Sequence, residues 1–408
     1  MAPIISDFAD HFGIENIPFG IASSSKRTAP QAVTRLENKV IFLADLPEVS
    51  KATGVESVFA QPTLNSFGAL GRSTHKAVRA AIQQAIKSGS TESASEDIKD
   101  VKLHLPVSTG DFTDFSCSPH HNRNAGQALL GYSSALPPAF HNQPLGYAGR
   151  CSSIVISGTP VVRPMGQFFE YGKEGLKGER KNVRQGPTRW MDYELELGVI
   201  IGKPVPYGQY VTAEQAKENV FGFILLNDWS ARDIQQFEMI PVGPLQSKHT
   251  ATTISPWIIT PDAVEPFRTP TRTREIPIAP YLVDNKGGAL DIKVQVAVAD
   301  GKGGDYKITG HANANVMDWT FEQIIAHQSS AGCGLRSGDL LGIGTISGPG
   351  SDQHGCLLEE FVPGTTAARG YVEDNEIVQL QGFAGPGVGF GECVGQLVPA
   401  IHQEVWQN

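Results

Sequence analysis

The stretch Met191-Asp192-Tyr193-Glu194-Leu195-Glu196-Leu197-Gly198-Val199-Ile200-Ile201 constrains the fold more than any other. Its second half is apolar and β-branched, and its middle alternates carboxylate with leucine, which is the pattern of a strand. Side chains alternate faces along a strand, so Glu194 and Glu196 share one face while Leu195 and Leu197 turn toward a core. Two carboxylates about 6–7 Å apart on one face repel each other. Such a pair is solvated on a wet sheet face, shares a proton, or holds a cation, and spacing alone leaves these open.

The 408 residues are enough for about two or three domains with ample core. With 40% hydrophobic and 18% charged residues, the chain lacks the charge excess of a disordered protein. Its 44 glycines and 27 prolines predict many turns and a β-rich architecture with long loops. A net charge of −9 argues against nucleic acid as a partner, because phosphate binding needs a basic surface. Cys117, Cys151, Cys333, Cys356 and Cys393 are scattered without a Cys-x-x-Cys, which offers no thiolate zinc cage and suits a reducing compartment. No apolar run reaches the roughly 18 residues of a membrane span, and neither end carries a targeting signal, so a cytosolic location is expected.

One helix stands out from Ser73 to Lys87, where Val78, Ala81, Ile82, Ala85 and Ile86 form an apolar stripe. Ser73 is the expected N-cap and Gly89 the stop signal. Gly89–Asp97 is polar and predicts an exposed linker or loop. A boundary near 90–110 is expected, giving an N-terminal domain over 1–108 and a catalytic domain over 109–408. Val40–Leu43, Ile154–Ile156, Thr159–Val162 and Val220–Leu226 predict strands. Gly166–Arg189 carries Lys173, Lys177, Arg180, Lys181, Arg184 and Arg189, and predicts a solvated loop or a lid over an anionic substrate. Thr212-Ala-Glu-Gln215 and Thr320-Phe-Glu-Gln323 fit the capping box that opens a helix. Asp300–Gly304 predicts a hairpin turn.

Two clusters are richer in chemistry than a loop requires. In Asp111–His121, two acids, Asp111 and Asp114, stand close to His120 and His121. In Asn227–Gln235, Asp228 ends an apolar strand, and Ser230 is a plausible N-cap for a helix. That helix would place Arg232, Gln235 and Met239 on one face. An ordinary Asp228–Arg232 ion pair is the plainer alternative.

These segments, with Leu145–Arg150, Ser157–Pro160, Arg163–Gln167, Asp192–Glu196, Thr253–Trp257, Leu335–Leu341, Gly344–Pro349 and Gly355–Glu359, resemble the eukaryotic-type fumarylacetoacetases. Asn16–Gly20 and Gln61–Phe67 extend the likeness over nearly the whole chain. The resemblance implies a mixed, mainly β homodimer: a small N-terminal SH3-like barrel and a C-terminal mixed β-roll of that family. It implies hydrolysis of a carbon–carbon bond in a dicarbonyl acid such as fumarylacetoacetate or an acylpyruvate. The alternative is a same-fold decarboxylase, isomerase, hydratase or biosynthetic enzyme working through the same metal enolate.

By the same resemblance, a divalent metal is held by Asp114, Glu194, Glu196 and Asp228, with Lys248 and Thr252 in a second ion environment nearby. An all-carboxylate set suits Mg or Ca. His121 is implied as general base, oriented by Glu359, while Arg232, Gln235 and Lys248 stabilise the oxyanion. Tyr147 and Thr345 are implied to line the substrate. Three positions depart from the family pattern: Ser116 and Met239 stand where tyrosines are expected, and Leu130 stands where an arginine is expected. Losing a charge-assisted bond to a substrate carboxylate costs about 1.5–3 kcal/mol. Arg123 is the nearest replacement in sequence for the missing arginine.

Overall fold

The computed structural model describes residues 8–131, 136–170, 182–285, 287–362 and 369–401. The N-terminal part comprises β1 (Gly20–Ser24), β2 (Gln31–Leu36), β3 (Lys39–Phe42), α1 (Arg72–Ser88), β4 (Ser95–Asp97) and β5 (Val101–His104). The strands form one antiparallel sheet in the order β4-β3-β2-β1-β5. Helix α1 exists because its stripe buries Val78, Ile82 and Ala85, the two larger side chains contributing about 1.5–3 kcal/mol each.

Ser73 is not its cap. Gly71, at φ 82°, occupies that position without a side-chain bond, and Ser73 lies in the first turn. Gly89 does end the helix in the left-handed region, at φ 75°, donating back to the Ala85 and Ile86 carbonyls. The polar stretch after it forms a largely exposed turn and then the edge strand β4, whose Glu96 is fixed by an ion pair with Arg27.

Onward, the chain forms β6 (Phe112–Phe115), α2 (Pro119–Leu130), β7 (Gly146–Ala148), β8 (Ile154–Ile156), β9 (Met165–Glu170) and β10 (Asn182–Pro187). Then come β11 (Leu195–Ile201), β12 (Val220–Asp228), α3 (Arg232–Glu238), β13 (Thr252–Ile254), β14 (Lys293–Ala299) and β15 (Lys307–Asn313). The last are α4 (Phe321–Ser329), β16 (Leu340–Gly342), β17 (Ile377–Gly385) and β18 (Val388–Val398). A mixed seven-stranded sheet runs β7-β6-β16-β11-β12-β13-β8, with β6/β16 and β8/β13 parallel. A second sheet runs β15-β14-β17-β18, with Val161–Val162 at its edge.

Strand β11 sits between two cores. Leu195, Leu197, Val199 and Ile201 join Leu225, Val294, Leu380 and Phe390 in one. Ile200 joins Phe19, Phe67 and Val78 of the N-terminal part in the other. Glu196 lies on the same face as Ile200, so one face of β11 carries acid at one end and inter-domain core at the other.

Both capping boxes form. The Asp300 turn joins β14 to β15, its Oδ1 accepting from the Lys302 and Gly304 amides at 2.8 and 3.1 Å. The basic stretch from Gly166 is not a plain loop: β9 and β10 pair as a hairpin, Phe168 is buried, and Phe169 packs edge-on to Phe237 of α3. Adjacent Phe168 and Phe169, on opposite faces of β9 and flanked by charge, anchor that pairing. Lys173, Lys177, Arg180 and Lys181 lie outside the described residues. Among the described residues, no helix is long and apolar enough to cross a membrane.

A buried carboxylate site at the end of the mixed sheet

Strand register gathers the acids. Asp114 on β6 is opposite Gly342 on β16 and Tyr147 on β7. Glu196 is opposite Leu226, and Asp228 is opposite Thr252. Glu194 precedes β11, its amide donating to Asn227 Oδ1 at 3.0 Å. Gly342 makes the convergence possible, because a Cβ there would stand 2.5 Å from Asp114 Oδ1 and 3.1 Å from Glu196 Oε2. One oxygen from each of Asp114, Glu194 and Glu196 lies within 4.8 Å of the others. Asp114, Glu194, Glu196 and Asp228 are at most 3% exposed, which rules out the wet-face reading.

The acids differ in what they touch. Glu194 is paired with Lys248 Nζ and with Arg232 Nη2, the latter at 2.9 Å. Burial alone would raise its pKa, but the Lys248 and Arg232 charges outweigh burial and hold it at about 2. Asp228 accepts from Thr252 Oγ1 at 2.8 Å and from the Tyr147 hydroxyl, and lies 3.0 Å from Lys248 Nζ. By contrast Asp114 Oδ1 and both Glu196 oxygens are buried without a hydrogen-bond partner. Burial, then the charges of neighbouring acids, pushes the pKa of both residues well up. Burying uncompensated carboxylates is costly. Three unpartnered oxygens converging in a site that also holds Glu194 form the donor set of a hard divalent cation, and the residues present fit one.

Arg232 turns away from the expected Asp228. Its Nε donates to Asp192 Oδ2 at 2.9 Å, and its Nη1 donates to Gln235 Oε1 at 2.9 Å. Asp192 also accepts from the Leu357 and Leu358 amides at 2.8 and 2.9 Å, tying Arg232 to the segment that carries Glu359. Ser230 does not cap α3. Ser230–Ala231 instead pairs with Met191–Asp192, and the Ser230 hydroxyl donates to the Asp228 carbonyl at 3.0 Å.

His121 stands in the first turn of α2, which is capped by Ser118 and begins with Pro119. Its Nδ1 is 2.9 Å from Glu359 Oε1. Glu359 also accepts from Ser347 Oγ at 2.6 Å and from Asn124 Nδ2 at 2.8 Å. Burial would raise its pKa, but His121 and these hydrogen bonds lower it to about 2. Cys356 lies beside the pair, its thiol pushed well up by burial and by Glu359, so it is a weak donor and not a thiolate. Asp192, Asn124 and Ser347 were not assigned roles from sequence. Asn124 and Glu359 are 235 positions apart, a separation no spacing pattern reports.

Asp114, Glu194, Glu196 and His121 line a cavity of about 390 Å³, together with Ser116, Leu130, Tyr147, Gln235, Met239 and Thr345, while Asp228 lies behind that lining. Thr345 Oγ1 is buried there without a partner. Arg123 does not line the cavity. It lies off the cavity-facing stripe of α2 and acts on His120, whose pKa is lowered first by burial and then by that charge. A larger groove, about 520 Å³, lies over β14, β15 and β17 but has no converging carboxylates, so the smaller cavity is the site.

Fold and site define a two-domain, carboxylate-centred β protein of the fumarylacetoacetate hydrolase class. The family model for the fumarylacetoacetate (FAA) hydrolase C-terminal part matches residues 111–398, and that for the fumarylacetoacetase N-terminal part matches 15–106. The chain is 38% identical to the fumarylacetoacetase of Aspergillus fumigatus, covering 96% of this chain and 97% of that one. It is 36% identical to that of Arabidopsis thaliana (96% of each) and 34% to that of Bos taurus (98% of each). A maleylpyruvate hydrolase from Sphingobium has the same fold, with a TM-score of 0.54 at 17% identity over 94% of this chain and all of that one. The chain belongs to the fumarylacetoacetase family.

Proposed function

We propose that the protein hydrolyses a carbon–carbon bond in a 1,3-dicarbonyl acid, fumarylacetoacetate itself or an acylpyruvate-like relative. The observation that carries this reading is His121, held by buried Glu359, opening onto the same cavity as the carboxylate cluster. With Nδ1 committed to Glu359, Nε2 takes the proton of a water in the cavity. The hydroxide adds to one carbonyl, and Arg232 and Lys248, fixed by buried acids, face the developing oxyanion with Gln235. As the carbon–carbon bond breaks, its electron pair passes to the methylene carbon as an enolate, and the imidazolium returns the proton there. Thr345, with its hydroxyl unpartnered, has hydrogen-bonding capacity for a substrate oxygen.

Asp114, Glu194 and Glu196, with Asp228 beside Thr252, would hold a divalent metal, Mg or Ca, which when bound supplies positive charge to the dicarbonyl oxygens. The Lys248 ammonium is kept protonated, since the charges of Asp228 and Glu194 outweigh burial, so its side chain contributes charge and no lone pair. The retained His–Glu pair favours water attack over the decarboxylase or isomerase alternatives.

The reading includes a cytosolic homodimer with a domain boundary at 108/109, in keeping with the two separate family matches. Sedimentation velocity tests the dimer. The activity is tested by incubating the protein with Mg²⁺ and fumarylacetoacetate and following loss of diketone absorbance. Cleavage that disappears in His121→Ala is expected. Failure of the folded, Mg²⁺-loaded protein to cleave any 1,3-dicarbonyl acid overturns the reading.

A further inference from the structure

Two helices form the cavity's long walls, and both run from charge to hydrocarbon. On α2, His121 and Asn122 line it in the first turn, Ala125 and Gly126 in the next, and Leu129 and Leu130 at the far end. At 1.5 Å per residue that ramp is about 12–13 Å long. On the other wall Arg232 comes first, Gln235 follows, and Met239, just past the end of α3, completes the slope. Gln236 Nε2 donates to the Leu129 carbonyl at 2.8 Å, joining the helices at the apolar end. Beyond Met239 the mouth stays apolar: Val242 lines it and is 94% exposed, beside exposed Ile240 and Leu245. Apolar surface left bare at a cavity mouth is surface a ligand covers on binding.

Among the described residues only two permanent cations, Arg232 and Lys248, line the cavity, and both are ion-paired at its floor with Asp192, Glu194 and Asp228. Among the described residues a carboxylate carried to the Leu130–Met239 end meets hydrocarbon and no opposite charge. We propose that the limb of the substrate lying between Leu130 and Met239 is neutral and apolar, an alkyl or aryl acyl group of a 1,3-dicarbonyl acid. Leu130 and Met239 are then the residues that set specificity. This rests on the hydrolase reading for the reacting end of the substrate only.

The test compares hexanoylpyruvate with adipoylpyruvate, which differ by a terminal carboxylate. With Mg²⁺-loaded protein, kcat/KM is expected to favour hexanoylpyruvate at least about tenfold; parity or reversal overturns the proposal. Leu130→Arg is expected to shrink or invert that ratio, and an unchanged ratio in the folded variant overturns the role of Leu130. Calorimetric binding of both compounds to Mg²⁺-loaded His121→Ala separates the two readings. Tighter binding of hexanoylpyruvate without turnover of either by the unmutated protein sinks the hydrolase reading and supports this one. Equal or tighter binding of adipoylpyruvate sinks this one, whatever the turnover.

Discussion

Asp192, Glu194, Asp228 and Glu359 are as deeply buried as Asp114 and Glu196, yet only the first four are met by donors or cations across both their oxygens. The partnered acids hold Arg232, Lys248 and His121 in place and so act as internal counter-charges. The unpartnered pair has no such task within the protein, and its oxygens converge. Buried carboxylates therefore do two jobs here: the partnered group orients the catalytic cations and base, with Glu194 also bordering the ion site, while Asp114 and Glu196 leave coordination open for an ion from outside.

The largest effect expected is on turnover. His121→Ala, which removes the base held by the partnered group, should lower kcat about 10²- to 10⁴-fold. Steady-state kinetics at saturating Mg²⁺ check it; a drop below tenfold would detach the His–Glu pair from the chemistry. Next in size is Asp192→Asn. It strips Arg232 of a counter-charge and weakens acceptance from the Tyr193, Leu357 and Leu358 amides, and should cost about 3–5 kcal/mol of stability in urea denaturation. If Asp114→Asn in chelator costs as much, the division between the two groups is wrong.

How much of this was legible in the sequence depends on range. The Glu194/Glu196 pair, the leucines behind it and the Arg232/Gln235 face of α3, continued by Met239 just past its end, follow from periodicity, a local property. The burial of the pair does not, because it depends on β12 and β16 flanking β11 and on Gly342 leaving room. The partners Asp114 and Asp228 came only through family resemblance, which carries tertiary proximity that spacing lacks. Local signals also misled: Ser73 and Ser230 have the chemistry of caps, but Gly71 and a two-residue strand pairing took those places. The polar stretch Gly89–Asp97, which includes β4, reads as a linker or loop because its one buried acid, Glu96, is neutralised by Arg27, distant in sequence.

A smaller effect concerns pH. Glu359 has its pKa lowered from 4.5 to about 2 in the folded protein, so the unfolded chain binds the proton more readily between those values. Its stabilisation is full above about pH 4.5 and is lost as pH falls through about 2, up to roughly 3 kcal/mol. Urea midpoints at pH 5 and pH 3, taken in chelator, should fall further in the unmutated protein than in Glu359→Gln. Parallel falls would show that the partnered group is not held ionised by its donors.

The smallest expected change has the opposite sign and is the sharpest probe of the comparison. Glu196 accepts from no amide, hydroxyl or cation, so replacing it by glutamine breaks no ion pair and removes a buried acid whose charged form is opposed by burial and by Asp114. In chelator, Glu196→Gln should therefore match or exceed the unmutated protein in stability, by on the order of 1 kcal/mol. A ligand that binds only the folded state raises the melting temperature in proportion to its affinity. The same variant should then lose most of the rise that Mg²⁺ or Ca²⁺ produces in the unmutated protein. Glu194→Gln should also weaken that rise, but from a lower starting stability, because it breaks the pairing with Lys248 and Arg232. If both variants start from the same melting temperature in chelator, Glu194 and Glu196 are one group, and the strand's two acids carry a single role.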